Sequence, residues 1–183
     1  MRIDQRVQAR VLMQEADLTG AQLEGATLTQ AQLKGAILRD ARLEEANLTD
    51  ATLEGANLTA TTLERALLIR TNLERTILWR ARLEGANLRR AKLMGATLCD
   101  AKLEGARLDN VILSNGRGIG PWLINIQWGS STNLSVIDWS QVVTLSDEDG
   151  AKKYKKHGNS PIKSYQDAVR ANRQLAVALQ AQG

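Results

Sequence analysis

Leucine occupies every fifth position of the chain from Leu18 to Leu113, twenty times without a break. Sixteen of these leucines have an alanine two residues earlier. A step of five residues rotates by about 140° around an α-helix, so no single apolar face forms there. In a flat β-strand an odd step sends successive leucines to opposite sides. The pattern therefore predicts a solenoid, in which the chain bends once per five residues and every leucine points to one shared axis. The positions that lack the alanine hold Thr61, Thr71, Thr76 and Val111.

The residue after each leucine indicates how many pentapeptides make one coil. A four-sided coil has twenty residues, and glutamate recurs at that spacing at Glu24, Glu44, Glu64, Glu84 and Glu104. A three-sided coil of fifteen residues would place Glu24 in one column with Arg39 and Ile69. The sequence thus predicts four sides, with a ladder of glutamates along one of them.

Several segments resemble a known repeat motif. Ala16-Asp17-Leu18, Ala46-Asn47-Leu48 and Ala86-Asn87-Leu88 match the A-(D/N)-L-x-x pattern of the pentapeptide-repeat family. The resemblance covers about residues 11–115, although the chain lacks the Phe that many members place at the centre of some repeats. It implies an all-β solenoid, a right-handed quadrilateral β-helix of about five coils, with a mixed α/β appendage at the C-terminus.

The last residue of each pentapeptide should form a corner of the coil. Glycine occupies this position on two opposite sides, for example at Gly25 and Gly35, but almost never on the other two. Type II turns need positive φ at their third residue and favour glycine there. We therefore expect type II corners on two sides and another turn type on the other two.

The chain divides into three parts around the repeats. Residues 1–10 are predicted to form a short amphipathic helix, with Ile3 and Val7 four apart, that caps the open end of the solenoid 11–115. Residues 116–183 are predicted to form strands and helices. Trp122, Ile124, Ile126 and Trp128 alternate as in a strand with one buried face. Residues 164–182 read as a capped helix that either packs on the solenoid or associates with another chain.

Composition argues against catalysis. The chain has a formal net charge of +4, one histidine and one cysteine. His157 lies among lysines, and no histidine stands within the repeats to activate Cys99. We therefore expect no enzyme, no metal site, no cofactor and no small-molecule substrate. The single cysteine, together with the absence of a signal peptide or an apolar stretch of membrane-spanning length, favours the cytoplasm.

One coil carries large apolar residues at outward positions that are elsewhere mostly Thr, Glu or Asn. Exposed clusters of this kind, with a Trp and neighbouring Arg, resemble the centres of protein interfaces. The sequence therefore predicts a protein–protein interaction scaffold with an unidentified protein partner. Three alternatives remain for what covers this surface: the C-terminal segment of the same chain, a second copy of the chain, or a foreign protein. The second copy includes a homodimer formed through the C-terminal segment. The candidate surface consists of Arg65, Leu67, Ile69, Arg70, Arg75, Ile77, Trp79 and Arg80.

An alternative function is that the solenoid mimics duplex DNA and binds a type II topoisomerase. Some members of the family that this chain resembles protect gyrase in this way. That role needs an acidic surface. Residues 1–60 hold nine acids and six bases, net −3, but residues 61–110 hold six acids and ten bases, net +4. The arginines at four successive corners oppose a DNA-binding groove on the partner. Direct nucleic-acid binding is the least supported hypothesis of the three, because no platform of aromatic side chains, on which bases could stack, accompanies these arginines.

Overall fold

The structure is a computed structural model that describes residues 11–113, 120–123, 126–128, 132 and 134. Within these residues there is neither a helix nor a strand of several residues. Each pentapeptide instead contributes one bridging residue followed by a two-residue turn. All bridges are parallel, and up to Ile112 each joins a residue to the one twenty positions later. Four pentapeptides therefore complete one coil, as the glutamate spacing predicts.

The bridges form four ladders, which we call walls 1 to 4 in chain order. Wall 1 runs from Leu12 to Ile112, wall 2 from Asp17 to Trp122, wall 3 from Gln22 to Gln127 and wall 4 from Thr27 to Arg107. Because the chain visits the walls in this order in every coil, walls 1 and 3 face opposite directions, and so do walls 2 and 4.

Backbone hydrogen bonds link each coil to both of its neighbours. The Leu33 N–H donates to Thr52 O of the next coil at 2.8 Å, and the Gln32 N–H donates to Val11 O of the preceding coil at 2.8 Å. The corner is closed by the Ala36 N–H, which donates to Leu33 O at 3.0 Å. This pattern repeats along the ladders and satisfies backbone groups that burial would otherwise leave costly.

The core is the column of leucines with the small residues between them. The inward leucines at every fifth position from Leu33 to Leu88 are fully buried, and each contributes about 1.5–3 kcal/mol by leaving water. Threonines in alanine positions are buried too, and their hydroxyls donate to leucine carbonyls: Thr61 to Leu38 O at 2.7 Å and Thr71 to Leu48 O at 2.8 Å. The Thr76 hydroxyl donates instead to Leu73 O, three residues earlier, at 2.6 Å. A hydroxyl is therefore accepted in this core because a leucine carbonyl lies within reach.

The corners correct one prediction from the sequence. Every fifth residue from Glu15 to Asn110 has a positive φ, between 56° and 68°, whether or not it is glycine. No residue before a corner shares the positive φ, which is the type II pattern. The expectation of a second turn type on two of the sides was wrong, because the ladder imposes the same backbone on all four.

The bridged region extends beyond residue 115. Thr97 pairs with Trp122 and Lys102 with Gln127, a spacing of twenty-five instead of twenty. Leu123, Ile126 and Trp128 are buried, whereas Trp122 is only partly covered on wall 2. Trp122 and Trp128 therefore do not share one buried strand face as the alternation predicts. The predicted N-terminal helix of residues 1–10, the remaining strand residues and the helix 164–182 lie outside the described residues.

Candidate interaction surface

The structure separates the predicted surface into two patches. Leu67 and Ile69 lie on wall 4, while Ile77 and Trp79 lie on wall 2 of the same coil. Because these walls face opposite directions, the four side chains cannot contact one flat partner together. The coil 61–80 instead presents one apolar patch on each of two opposite sides.

The patch on wall 4 is small and flanked by amides. Leu67 is 37% exposed and bridges to Asn47 below and Asn87 above, and Ile69 beside it is half-buried. The Asn47 and Asn87 side chains are engaged locally, since each accepts a hydrogen bond from the backbone N–H two residues on. This patch is therefore apolar at its centre, with a polar border that is already hydrogen-bonded.

The patch on wall 2 is larger and contains the aromatic side chain. Ile77 is 41% exposed and Trp79 is 40% exposed. Ile37, which lies on the same wall one coil before Asn57, is 37% exposed. The Trp79 indole N–H donates to Asp100 at 3.0 Å, and the Arg80 guanidinium lies 4.5 Å from the centroid of the Trp79 ring. These two contacts hold the indole in place while a large part of it stays in solvent.

Trp122 belongs to the same wall, which sequence reasoning missed. It bridges to Thr97, which in turn bridges to Ile77, so the three residues form one column. The signal was present in Pro121-Trp122-Leu123, which repeats the order of small residue, outward residue and leucine. The glycine-rich sequence before Pro121 concealed it.

The four arginines lie at the four corners of the coil 61–80, as predicted, but two of them are neutralised. Arg65 pairs with Glu45 at 2.8 Å, and Arg70 makes a bidentate pair with Asp50, both contacts at 2.6 Å. The Arg70 side chain holds the pKa of Asp50 below its ordinary value of 3.8. Within the described residues Arg75 makes no ion pair. The arginines are therefore not a uniform positive belt.

The glutamate ladder on wall 3 is compensated by arginines that reach to the preceding coil. Arg42 lies 2.9 Å from Glu24 and 3.4 Å from Glu44, and Arg82 lies 2.6 Å from Glu64 and 3.8 Å from Glu84. The sequence predicts pairing within one pentapeptide, but the shorter contacts join neighbouring coils. Burial alone would raise the pKa of Glu44, but its own backbone N–H, the Thr62 side chain and Arg42 together lower it.

The described residues contain no group of three or more His, Cys, Asp or Glu side chains placed to hold a metal ion. None of them forms a helix long and apolar enough to cross a bilayer. Cys99 is half-buried on wall 2, one coil from Trp79. The surface features available in this part of the chain are therefore its walls and corners.

Comparison with known proteins agrees with this geometry. The family model for pentapeptide repeats matches residues 16–55, 28–65 and 80–115, with eight copies. No curated protein matches the chain in sequence.

Three solved structures are similar to the chain. One is a pentapeptide repeat protein from the Arabidopsis thaliana thylakoid lumen, 28% identical over 56% of this chain and 68% of that one, with a TM-score of 0.39. Another is Rfr23 from the cyanobacterium Cyanothece 51142, 42% identical over 53% and 63%, with a TM-score of 0.29. The third is HetL, involved in heterocyst differentiation regulation in Nostoc sp. strain PCC 7120, 30% identical over 64% and 63%, with a TM-score of 0.24. This chain thus spans about two thirds of the length of each.

The repeat motif, the four bridge ladders at a spacing of twenty residues and the matching family model all point the same way. The chain belongs to the pentapeptide-repeat family, whose structures are right-handed quadrilateral β-helices.

Proposed function

We propose that this protein is a non-enzymatic interaction scaffold, and that the coil 61–80 supplies its contact surface. The observation that carries the proposal is the exposure of Leu67 and Ile77 on opposite walls, with Trp79 beside Ile77. Contiguous exposed apolar patches are rare on soluble monomers, and where they occur they commonly mark protein-binding sites. The family consists generally of non-enzymatic repeat proteins, which agrees with this role.

The two patches differ in the partner each suits. The wall 4 patch is a narrow apolar strip with an amide border, which suits a partner with one or two protruding apolar side chains. The wall 2 patch has the Trp79 indole with the Arg80 guanidinium over its ring, and Trp and Arg are among the residues most enriched at the energetic centres of interfaces. A scaffold with contact sites on opposite sides can hold two proteins at once.

The charges favour a scaffold over DNA mimicry. A mimic of duplex DNA needs a continuous row of negative charge, and wall 3 carries the only ladder of carboxylates found among the described residues. Arg42 and Arg82 lie within that row and contact four of its carboxylates. Direct binding of nucleic acid is disfavoured by the pairing of Arg65 and Arg70 with acidic side chains. We propose that the scaffold acts in the cytoplasm, the compartment favoured by the single cysteine.

The test is affinity capture from the native host with identification of the bound protein. We expect wild-type chain to retain a specific protein, and Leu67→Arg or Ile77→Arg to reduce its recovery at least tenfold. Thr52→Arg, which adds the same charge to an outward position of wall 1, is the matched control and should bind as wild type. Equal recovery with all four chains would contradict the assignment of the surface to the coil 61–80.

A further inference from the structure

Wall 2 differs from walls 3 and 4 because its arginines are not in ion pairs among the described residues. Most arginines on walls 3 and 4 lie within ion pairs, for example Arg42, Arg82 and Arg89. On wall 2, Arg39 and Asp40 are exposed and make no ion pair or side-chain hydrogen bond within the described part of the chain. Arg80 contacts only the neutral ring of Trp79 there. This wall therefore offers unpaired charges of both signs beside its apolar patch.

The positions of these residues are symmetric about one pentapeptide. Asn57 lies in the middle of the wall, with Ile37 one coil before it and Ile77 one coil after it, joined by bridges. In the same way Arg39 and Trp79 flank Thr59, and the corners Asp40 and Arg80 flank Ala60. Ile37, Arg39 and Asp40 on one side of the centre are thus matched by complementary residues at the equivalent positions on the other side.

A second copy can use this symmetry. We consider two copies whose walls 2 face each other, related by a two-fold axis between the walls and parallel to their bridging segments. This axis reverses the order of coils in the second copy. Each column of wall 2 then lies opposite the same column of the other copy. With the axis at Asn57, Ile37 of each copy meets Ile77 of the other. Arg39 then faces the exposed side of Trp79, and Asp40 faces Arg80. Apolar, cation–π and ionic contacts form in the same register, and two-fold symmetry makes each of them twice.

We propose that wall 2 is a self-complementary interface, through which two copies of this chain associate in antiparallel orientation about Asn57. The charge pattern favours a second copy over an unrelated partner, because the unpaired Asp40 and Arg80 complement each other only when the wall meets itself. This inference rests on the proposed function for the premise that the wall binds protein. Wall 4, with Leu67, then lies on the outer side of each subunit and is open to a foreign partner in the dimer, whereas wall 2 is open to one only in the monomer.

The expected association is weak. From Asp17 to Thr97 the wall spans four steps of about 4.8 Å, or about 19 Å. A single wall of that length is smaller than the roughly 800 Å² per partner of a standard interface. We therefore expect a dimer whose population rises with concentration over the micromolar range.

The first test is sedimentation velocity of the purified full chain over a hundredfold range of concentration. We expect wild type to shift from monomer to dimer within that range and Ile77→Arg to remain monomeric throughout. Leu67→Arg is the matched control, since it removes an equally exposed apolar residue from the opposite wall of the same coil, and it should dimerise as wild type. A wild-type chain that stays monomeric, or equal dimerisation of the two variants, would overturn the proposal.

A charge exchange tests the register. Asp40→Arg and Arg80→Asp should each weaken dimerisation at least tenfold, because each places like charges opposite one another. The double variant should recover most of the affinity, because the exchanged charges again face their opposites. Both changes suit the corner backbone. Arginine occupies four other corners at nearly the same φ, and aspartate occupies the corners Asp50 and Asp100. A double variant as weak as the single ones would exclude this register.

Failure of the inference is distinguishable from failure of the proposed function. A monomeric chain that captures a host protein in an Ile77-dependent manner would keep the scaffold and exclude the dimer. A chain that dimerises through wall 2 but captures no host protein would keep the dimer and exclude the scaffold for foreign partners.

Discussion

At the scale of single residues, the corner position shows the conflict between the repeat and its side chains. Glycine reaches positive φ without steric cost, but other residues pay about 1–2 kcal/mol in this region. Thirteen of the twenty corners are nevertheless not glycine. The ladder hydrogen bonds fix the corner backbone, so the residue must adapt. This is why the turn type could not be predicted from where glycine occurs.

The cost can be measured at two corners that lack other constraints. A Cβ added to Gly55, at φ +68°, would meet no atom within 4 Å, so Gly55→Ala should lose about 1 kcal/mol through backbone strain alone. Ala60, at φ +56°, should show the opposite effect, and Ala60→Gly should be neutral or stabilising by up to about 1 kcal/mol. Denaturant unfolding measures both. Gly35→Ala is the contrast, because its Cβ would lie 3.3 Å from the Glu15 side chain and should cost more. Equal stability of all three variants would show that the corners are not strained.

At the scale of the walls, the spacing of twenty residues decides which charges meet. Glu45 and Arg65 are twenty apart, as are Asp50 and Arg70, and each pair forms between stacked coils. The sequence predicted the walls correctly because inward Leu and Ala repeat so strictly. It missed the inter-coil pairs and the separation of Leu67 from Ile77. Both follow from the same count of twenty, applied to outward positions instead of to the core.

The Asp50–Arg70 pair predicts a dependence of stability on pH. The pKa of Asp50 is lower in the folded chain than its ordinary value of 3.8, so this pair stabilises the fold above that pH and loses its effect as pH falls through the folded pKa. Arg70→Gln should therefore destabilise the fold at neutral pH, and its difference from wild type should shrink as pH falls through the folded pKa of Asp50. Arg75→Gln is the control, because this corner of the same coil has no ion pair within the described residues. Urea unfolding of the three proteins from pH 2 to 7 gives the comparison. A constant difference between wild type and Arg70→Gln across that range would contradict the assignment.

At the scale of the whole molecule, stability depends on contacts between neighbouring coils. The inward leucines at every fifth position from Leu33 to Leu88 are fully buried, while Leu18 and Leu23 in the first described coil are only partly buried. Outward residues of that coil, such as Gln22, have no preceding coil to which their N–H can donate among the described residues. In a linear stack of this kind, opening begins at the end with the fewest contacts.

Native-state hydrogen exchange tests this gradient. Amides in coils 41–80 should exchange only near the free energy of global unfolding, whereas those of residues 11–30 should exchange faster by at least an order of magnitude. Removal of residues 1–10 is the companion measurement. If those residues cap the end as the sequence predicts, the truncation should increase exchange in residues 11–30 and leave coils 41–80 unchanged. Uniform protection from residue 11 to 113 would indicate a single cooperative unit instead.

Two ladders resume in register although the connection between Leu113 and Pro121 carries five more residues than a regular coil needs. Thr97 and Lys102 find their partners at Trp122 and Gln127 as if the added length were not there. Pairing in these two ladders thus does not require a fixed number of residues between Leu113 and Pro121. Because the entropy of closing a loop grows only slowly with its length, this connection should tolerate inserted sequence at little cost. Peptides or small domains grafted between Leu113 and Pro121 would therefore be displayed at a defined edge of wall 2, and the fold could acquire new recognition there without any change to its core.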